Sequence, residues 1–130
     1  MKVLIDENLP PALARSLNAL FVGKHVIIHA RERYGPGVKD LQWIRELSAD
    51  GRWIIISGDR RITRNNAEYN AFRASNLVGF FLSKGLYKSP IVKQMERILA
   101  LWENIEKQAD IVQGGAMFEL PMTTSRIKQL

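Results

Sequence analysis

Cysteine is missing from all 130 residues, which excludes disulfide staples and thiolate metal sites. Histidine is scarce: only His25 and His29 occur, neither with a partner at metal-ligand spacing, so both are read as structural. Long apolar runs are lacking too. Nothing approaches the roughly 20 consecutive apolar residues of a membrane span. The N-terminal run Val3–Ile5 is cut off by Asp6-Glu7 before it could act as a secretion signal. The expectation is a cytoplasmic protein with no membrane partner. Acidic residues are outnumbered, 13 against 19 Lys and Arg, for a formal charge of +6. A basic surface favours polyanions, nucleic acid first among them.

What remains is ample material for one folded unit. Hydrophobic residues make up 46% of the chain, enough to bury a core without cross-links. Short apolar runs at Lys2–Ile5, His25–His29, Trp53–Ile56 and Leu77–Leu82 read as buried strands, and Met117–Leu120 as a short fifth. Amphipathic stretches separate them. Pro10-Pro11 opens a helix with Leu13, Leu17 and Leu20 on one face. Arg31–Lys39 reads as a loop, punctuated by Gly35-Pro36-Gly37. Asp40 opens a helix ending near Gly51, and Thr63 is placed as the N-cap of another running to about Asn76. Pro90 begins a long helix with an apolar stripe of Ile91, Met95, Ile98, Leu101, Trp102 and Ile105. Residues 1–113 form the main body, and 114–130 add a short strand and tail to the same domain. Strands alternating with helices imply an α/β fold with three layers, a mainly parallel sheet of four to five strands flanked by helices.

In such sheets functional groups collect beyond the carboxyl ends of the strands. Asp6 follows the first strand, Asp59 follows the third, and Asp40 opens its helix on the same rim. Carboxylates gathered on one rim repel unless a cation offsets them, and oxygen-only donors select Mg²⁺ or Mn²⁺ over zinc. Such an ion would activate water against a phosphodiester. Glu7 and Asn8 add oxygen donors beside Asp6. Arg60, Arg61 and Arg64 surround Asp59, while Arg31, Arg33 and Lys39 precede Asp40, and guanidinium forks suit phosphate. Each acid also has a plainer role. Asp40 could cap its helix, Asp59 could stabilise the Ser57-Gly58-Asp59 turn, and Glu68 could pair with Arg64 one turn away. The sharper alternative makes Glu68 a further site acid. Asp6 is hardest to dismiss, because Asp-Glu directly after a buried strand is costly without a partner.

Val-Leu-Ile-Asp-Glu-Asn-Leu-Pro at 3–10, Asp40 at its helix start and Ile-Ile-Ile-Ser-Gly-Asp-Arg at 54–60 resemble the PIN-like domains, in particular the branch of VapC45-type toxins. The resemblance runs from Met1 to about Lys88 and more loosely to about Ala109. It implies a Mg²⁺- or Mn²⁺-dependent ribonuclease site at Asp6, Asp40 and Asp59, and the toxin role in a toxin–antitoxin pair. RNA, a cognate antitoxin and a homodimer are then the expected partners, with the stripe of the long helix as a docking face. Two features depart from the family pattern. Arg60-Arg61-Ile62 stands where many members carry Asp-Phe, and the usual central Glu has only Glu32 and Glu46 as substitutes. Competing readings are a degenerate module that binds RNA or a partner without cutting, and a phosphoacceptor receiver domain. The receiver would need a Lys after the fifth strand.

Overall fold

Isoleucine-rich segments with no polar face cannot lie on a surface, and here they pair edge to edge beneath helices on both sides. The computed structural model describes all 130 residues. The strands are β1 (Lys2–Ile5), β2 (Val26–His29), β3 (Ile54–Ser57), β4 (Val78–Leu82), β5 (Met117–Leu120) and β6 (Lys128–Gln129). They form one sheet in the order β2-β1-β3-β4-β5-β6, parallel except for β6, which runs antiparallel to β5. The helices are α1 (Pro11–Leu20), α2 (Ala30–Tyr34), α3 (Asp40–Asp50), α4 (Asn66–Arg73), α5 (Lys84–Tyr87) and α6 (Ile91–Ile111).

Alternation along the strands divides the core in two. Val3, Ile5, Ile54 and Ile56 pack with Leu13 and Leu17 of α1 and Ile98 and Leu101 of α6. Leu4 and Ile55 point the other way, into Trp43 and Leu47 of α3 and Phe72 of α4. The outcome is the expected three-layer α/β fold. Each large side chain fully buried this way contributes about 1.5–3 kcal/mol, and Trp43, Phe72, Phe80 and Phe81 are all fully buried. All three tryptophans and His29 belong to the interior. His29 donates through Nε2 to the Leu9 carbonyl (2.7 Å) and caps α2 by accepting from the Arg31 amide at Nδ1 (3.1 Å).

Four sequence expectations are corrected. Residues 30–34 form a short helix rather than loop, because His29 caps its start and Gly35, at φ 77°, ends it. The helix assigned to Thr63 is split: Arg61–Arg64 is a 3₁₀ turn, and α4 begins after Asn65, whose side chain accepts from Glu68 N. Thr63 instead donates its hydroxyl to the Arg60 carbonyl (2.7 Å). The tail ends in β6, which pairs with β5. Lastly, Ile98, Leu101, Trp102 and Ile105 of the α6 stripe are buried in the core and cannot meet a partner; Ile91 of the stripe stays exposed, as do Val92 and Ile111 elsewhere on the helix.

Candidate active site

Strand order reverses between β1 and β3: the chain leaves β1 towards β2 on one side, and β3 towards β4 and β5 on the other. Loops diverge at such a point and leave a crevice at the carboxyl ends of the strands. Asp6 and the Ser57-Gly58-Asp59 turn lie there, joined by a backbone bond from Asp6 N to the Ile56 carbonyl (2.9 Å). No helix of the chain is long and apolar enough to cross a membrane.

Asp6 is 1% exposed. Its Oδ2 accepts from Ser57 Oγ (2.9 Å) and its Oδ1 from the Glu7 amide (2.7 Å). Ser57 in turn accepts from Asn8 Nδ2 (3.1 Å), while Asn8 Oδ1 accepts from the Gly58 amide (2.9 Å). This chain of bonds fixes the carboxylate rigidly. Burial pushes the Asp6 pKa up from 3.8, the Asp40 charge adds to the rise, and the Ser57 bond opposes it.

Asp40 does not cap α3. It is the first residue of that helix, and its carboxylate turns inward, accepting from Trp43 Nε1 at Oδ1 (2.9 Å). Arg61 grips the same carboxylate with both arms, Nε to Oδ2 at 3.1 Å and Nη2 to Oδ1 at 3.2 Å. Partial burial works against the Arg61 charge, but Asp40, Asp6 and Asp59 more than offset this and hold the guanidinium protonated. Glu68 lines the same recess of about 580 Å³, with Asp40, Arg61, Lys39 and Asn8. The Arg64–Glu68 ion pair expected from their spacing does not form. Instead Glu68 Oε2 is buried with no hydrogen-bond donor. Burial raises the Glu68 pKa from 4.5; the Asp40 charge and a carboxyl–carboxyl hydrogen bond that a protonated Glu68 makes to Asp40 add to this, Arg61 opposes it, and Asp6 adds a smaller rise.

The other candidates named from the sequence separate from this pocket's centre in different ways. Glu7 turns to the glycine loop, accepting from Gly37 N at 2.9 and 3.1 Å, with Arg31 3.6 Å away. Asp59 accepts from the Arg61 amide (2.9 Å) and faces the opposite side of its turn, in a second recess with Arg60 and Arg64. Arg33 pairs with Asp50, and Arg60 with Glu119 of β5. Of the six cations expected to hold phosphate, only Arg64 and Lys39 lack an acidic partner. Sequence reasoning missed Ser57 as the anchor of Asp6 and gave Glu68 a site role only as the alternative to an ion pair with Arg64; its position on the inner face of α4 was the available signal.

The acids supply hard oxygen donors, and a buried carboxylate oxygen with no donor is what a divalent cation would satisfy. In donor chemistry, Asp6, Asp40 and Glu68 therefore fit Mg²⁺ or Mn²⁺. They do not form a ready-made cage: no three acidic or histidine side chains converge tightly enough to hold a metal, and Arg61 holds Asp40. Glu32 and Glu46 do not line this pocket. For the receiver alternative, β5 ends at Leu120-Pro121, with no Lys to complete that site.

No curated protein and no solved structure matches this chain. The family model described as PIN like domain matches residues 1–84, a span that contains Asp6, Asp40, Ser57, Asp59, Arg61 and Glu68. On that match, which covers well over half of its length, the chain belongs to the PIN-like domain family.

Proposed function

We propose that this protein is a metal-dependent endoribonuclease whose reaction site is the recess lined by Asp40 and Glu68, beside the buried Asp6. The family's fold is of nuclease type. The observation that carries the reading is the buried, donorless Oε2 of Glu68 in a pocket shared with Asp40, beside the anchored Asp6. When bound, a divalent cation would supply Lewis acidity towards a phosphodiester oxygen. Asp6, Asp40 and Glu68 would hold it. Ser57 and Asn8 keep Asp6 from rotating, so its donor oxygen is fixed before substrate arrives. Arg61 is half-exposed and can turn its fork from Asp40 to a phosphate oxygen, which orients the bond to be cut. A toxin role with an antitoxin partner follows from the resemblance of 3–10 and 54–60 to the VapC45-type branch, with no docking face assigned.

The test is cleavage of mixed RNA with Mg²⁺, Mn²⁺ or EDTA. Asp6→Asn and Glu68→Gln should each lower the rate at least about 100-fold with an unchanged circular dichroism spectrum, while Asp59→Asn has the milder effect. Cleavage by Asp6→Asn at the wild-type rate would sink the reading. A second reading, a PIN-like module that binds RNA or a partner without cutting, is favoured by one observation: Arg61 already neutralises Asp40 in the pocket. Under it, no metal in the assay yields product although RNA still binds.

A further inference from the structure

Arg64, Lys84 and Lys88 line one recess of about 630 Å³, on the far side of the Ser57-Gly58-Asp59 turn from the acid pocket. All three are exposed, and none has an acidic partner within ion-pair distance. This sets them apart from Arg31, Arg33, Arg60 and Arg61, each of which is neutralised within the chain. Lys84 and Lys88 stand one turn apart across α5, a spacing at which like charges repel. Arg64 faces the same space. The only carboxylate lining it, Asp59, accepts from the Arg61 amide. Such a group of cations is relieved by an anion with several charges in a row.

The recess is also shaped. Leu82 and Tyr87 form its apolar wall. Tyr87 is pinned, with its ring against Gly58 and its hydroxyl donating to the Asn8 carbonyl (3.3 Å). The start of α5 is fixed by Ser83 Oγ accepting from Leu86 N (3.4 Å). A concave site with cations on one side and an aromatic and an aliphatic wall suits a chain of phosphates carrying unstacked bases. A duplex is a stiff convex rod, with a persistence length of about 150 base pairs. It cannot enter a recess and then bend over a turn three residues wide to reach the acids.

We propose that this recess is the track for the phosphate backbone of a single-stranded polynucleotide, gripped by Arg64, Lys84 and Lys88 and delivered over the Ser57–Asp59 turn to the acid pocket. The binding half stands on its own; only delivery rests on the nuclease reading. The test is fluorescence anisotropy in EDTA, with labelled single-stranded RNA, single-stranded DNA, a duplex and polyglutamate as probes. Lys84→Glu/Lys88→Glu should weaken single-strand binding by about tenfold or more. Its log-affinity against log-salt slope should become shallower by about 1.4, at about 0.7 for each phosphate no longer neutralised. Lys93→Glu/Lys107→Glu, which changes net charge equally on α6, should stay within about twofold of wild type. Arg64→Gln, a gentler change, should act in the same direction as the lysine pair and covers the case in which that double variant does not fold.

The track is overturned by equal binding of the two lysine double variants when both fold, by duplex bound as tightly as single strand, or by polyglutamate bound and lost in parallel with RNA, which would mark an acidic protein as the occupant. Cleavage in Mn²⁺ without oligonucleotide binding in EDTA overturns the track alone. Binding without cleavage under any metal leaves the track and removes the nuclease.

Discussion

On one side of the Ser57-Gly58-Asp59 turn, Asp6, Asp40 and Glu68 share a single guanidinium, Arg61. On the other, Arg64, Lys84 and Lys88 share no carboxylate at ion-pair distance. The acid side is buried and only partly compensated, one guanidinium against three carboxylates, its geometry set by Ser57, Trp43 and Arg61. The basic side is open and uncompensated. Charge that a protein neutralises itself is architecture first, whereas charge left unopposed at a shaped surface is held for something outside. A residue's sign alone therefore says little; four of the six cations nearest the acids in sequence turn out to be occupied.

The sharpest way to break this contrast is to disturb the wall between the two sides. A Cβ on Gly58 would lie 2.2 Å from Tyr87 Cε1, so Gly58→Val should cost about 3 kcal/mol of stability and weaken oligonucleotide binding as Tyr87 is displaced. Chemical denaturation measures the first and anisotropy the second. A variant as stable as wild type would mean the wall is soft.

Arg61 tests the compensated side. In EDTA, Arg61→Gln should cost about 1 kcal/mol, since the pair is half-exposed and screened on one flank. Its Mn²⁺ affinity by calorimetry should nonetheless rise about tenfold, equivalent to about 1.4 kcal/mol, because Asp40 no longer has to be released. Weaker Mn²⁺ binding would show that Arg61 supports the cation rather than competing with it.

The smallest effect is in pH. Asp6 and Glu68 both have folded pKa values raised above their ordinary 3.8 and 4.5. Between those values and the raised ones, the folded chain holds protons that the unfolded chain has released. In metal-free protein their contribution to stability should therefore grow as pH falls through the raised values, and level off below 3.8 and 4.5. Asp6→Asn with Glu68→Gln should flatten that part of the curve. An unchanged slope in urea titrations from about pH 7 downward would show that the two carboxyls are better solvated than their burial implies.

Much of this was legible in the chain. Strands β1 and β3, with Asp6 and Asp59 directly after them, follow from unbroken apolar runs that stop at an acid. Helix α3 follows from Asp40 and the Leu41-Ile44-Leu47 spacing. The short elements were not legible. Helix α5 has only 4 residues, too few for any period to show, and its Ser83 cap was visible only as the end of a strand. Thr63 and Asn65 are both good cap residues by type, and no local signal separates them. Above all, pairing is tertiary. Arg60 meets Glu119 across 59 positions and Arg61 meets Asp40 across 21, so no local pattern distinguishes them from Arg64, which meets no acid.

Asn8 works as a tie between the two chambers. Its backbone carbonyl takes the Tyr87 hydroxyl, while its side-chain amide grips both Gly58 and Ser57, and Ser57 aims Asp6. One residue thus braces both chambers: removing the Asn8 amide would release Ser57, and with it the hold on Asp6, while the tyrosine would keep its bond to the main chain.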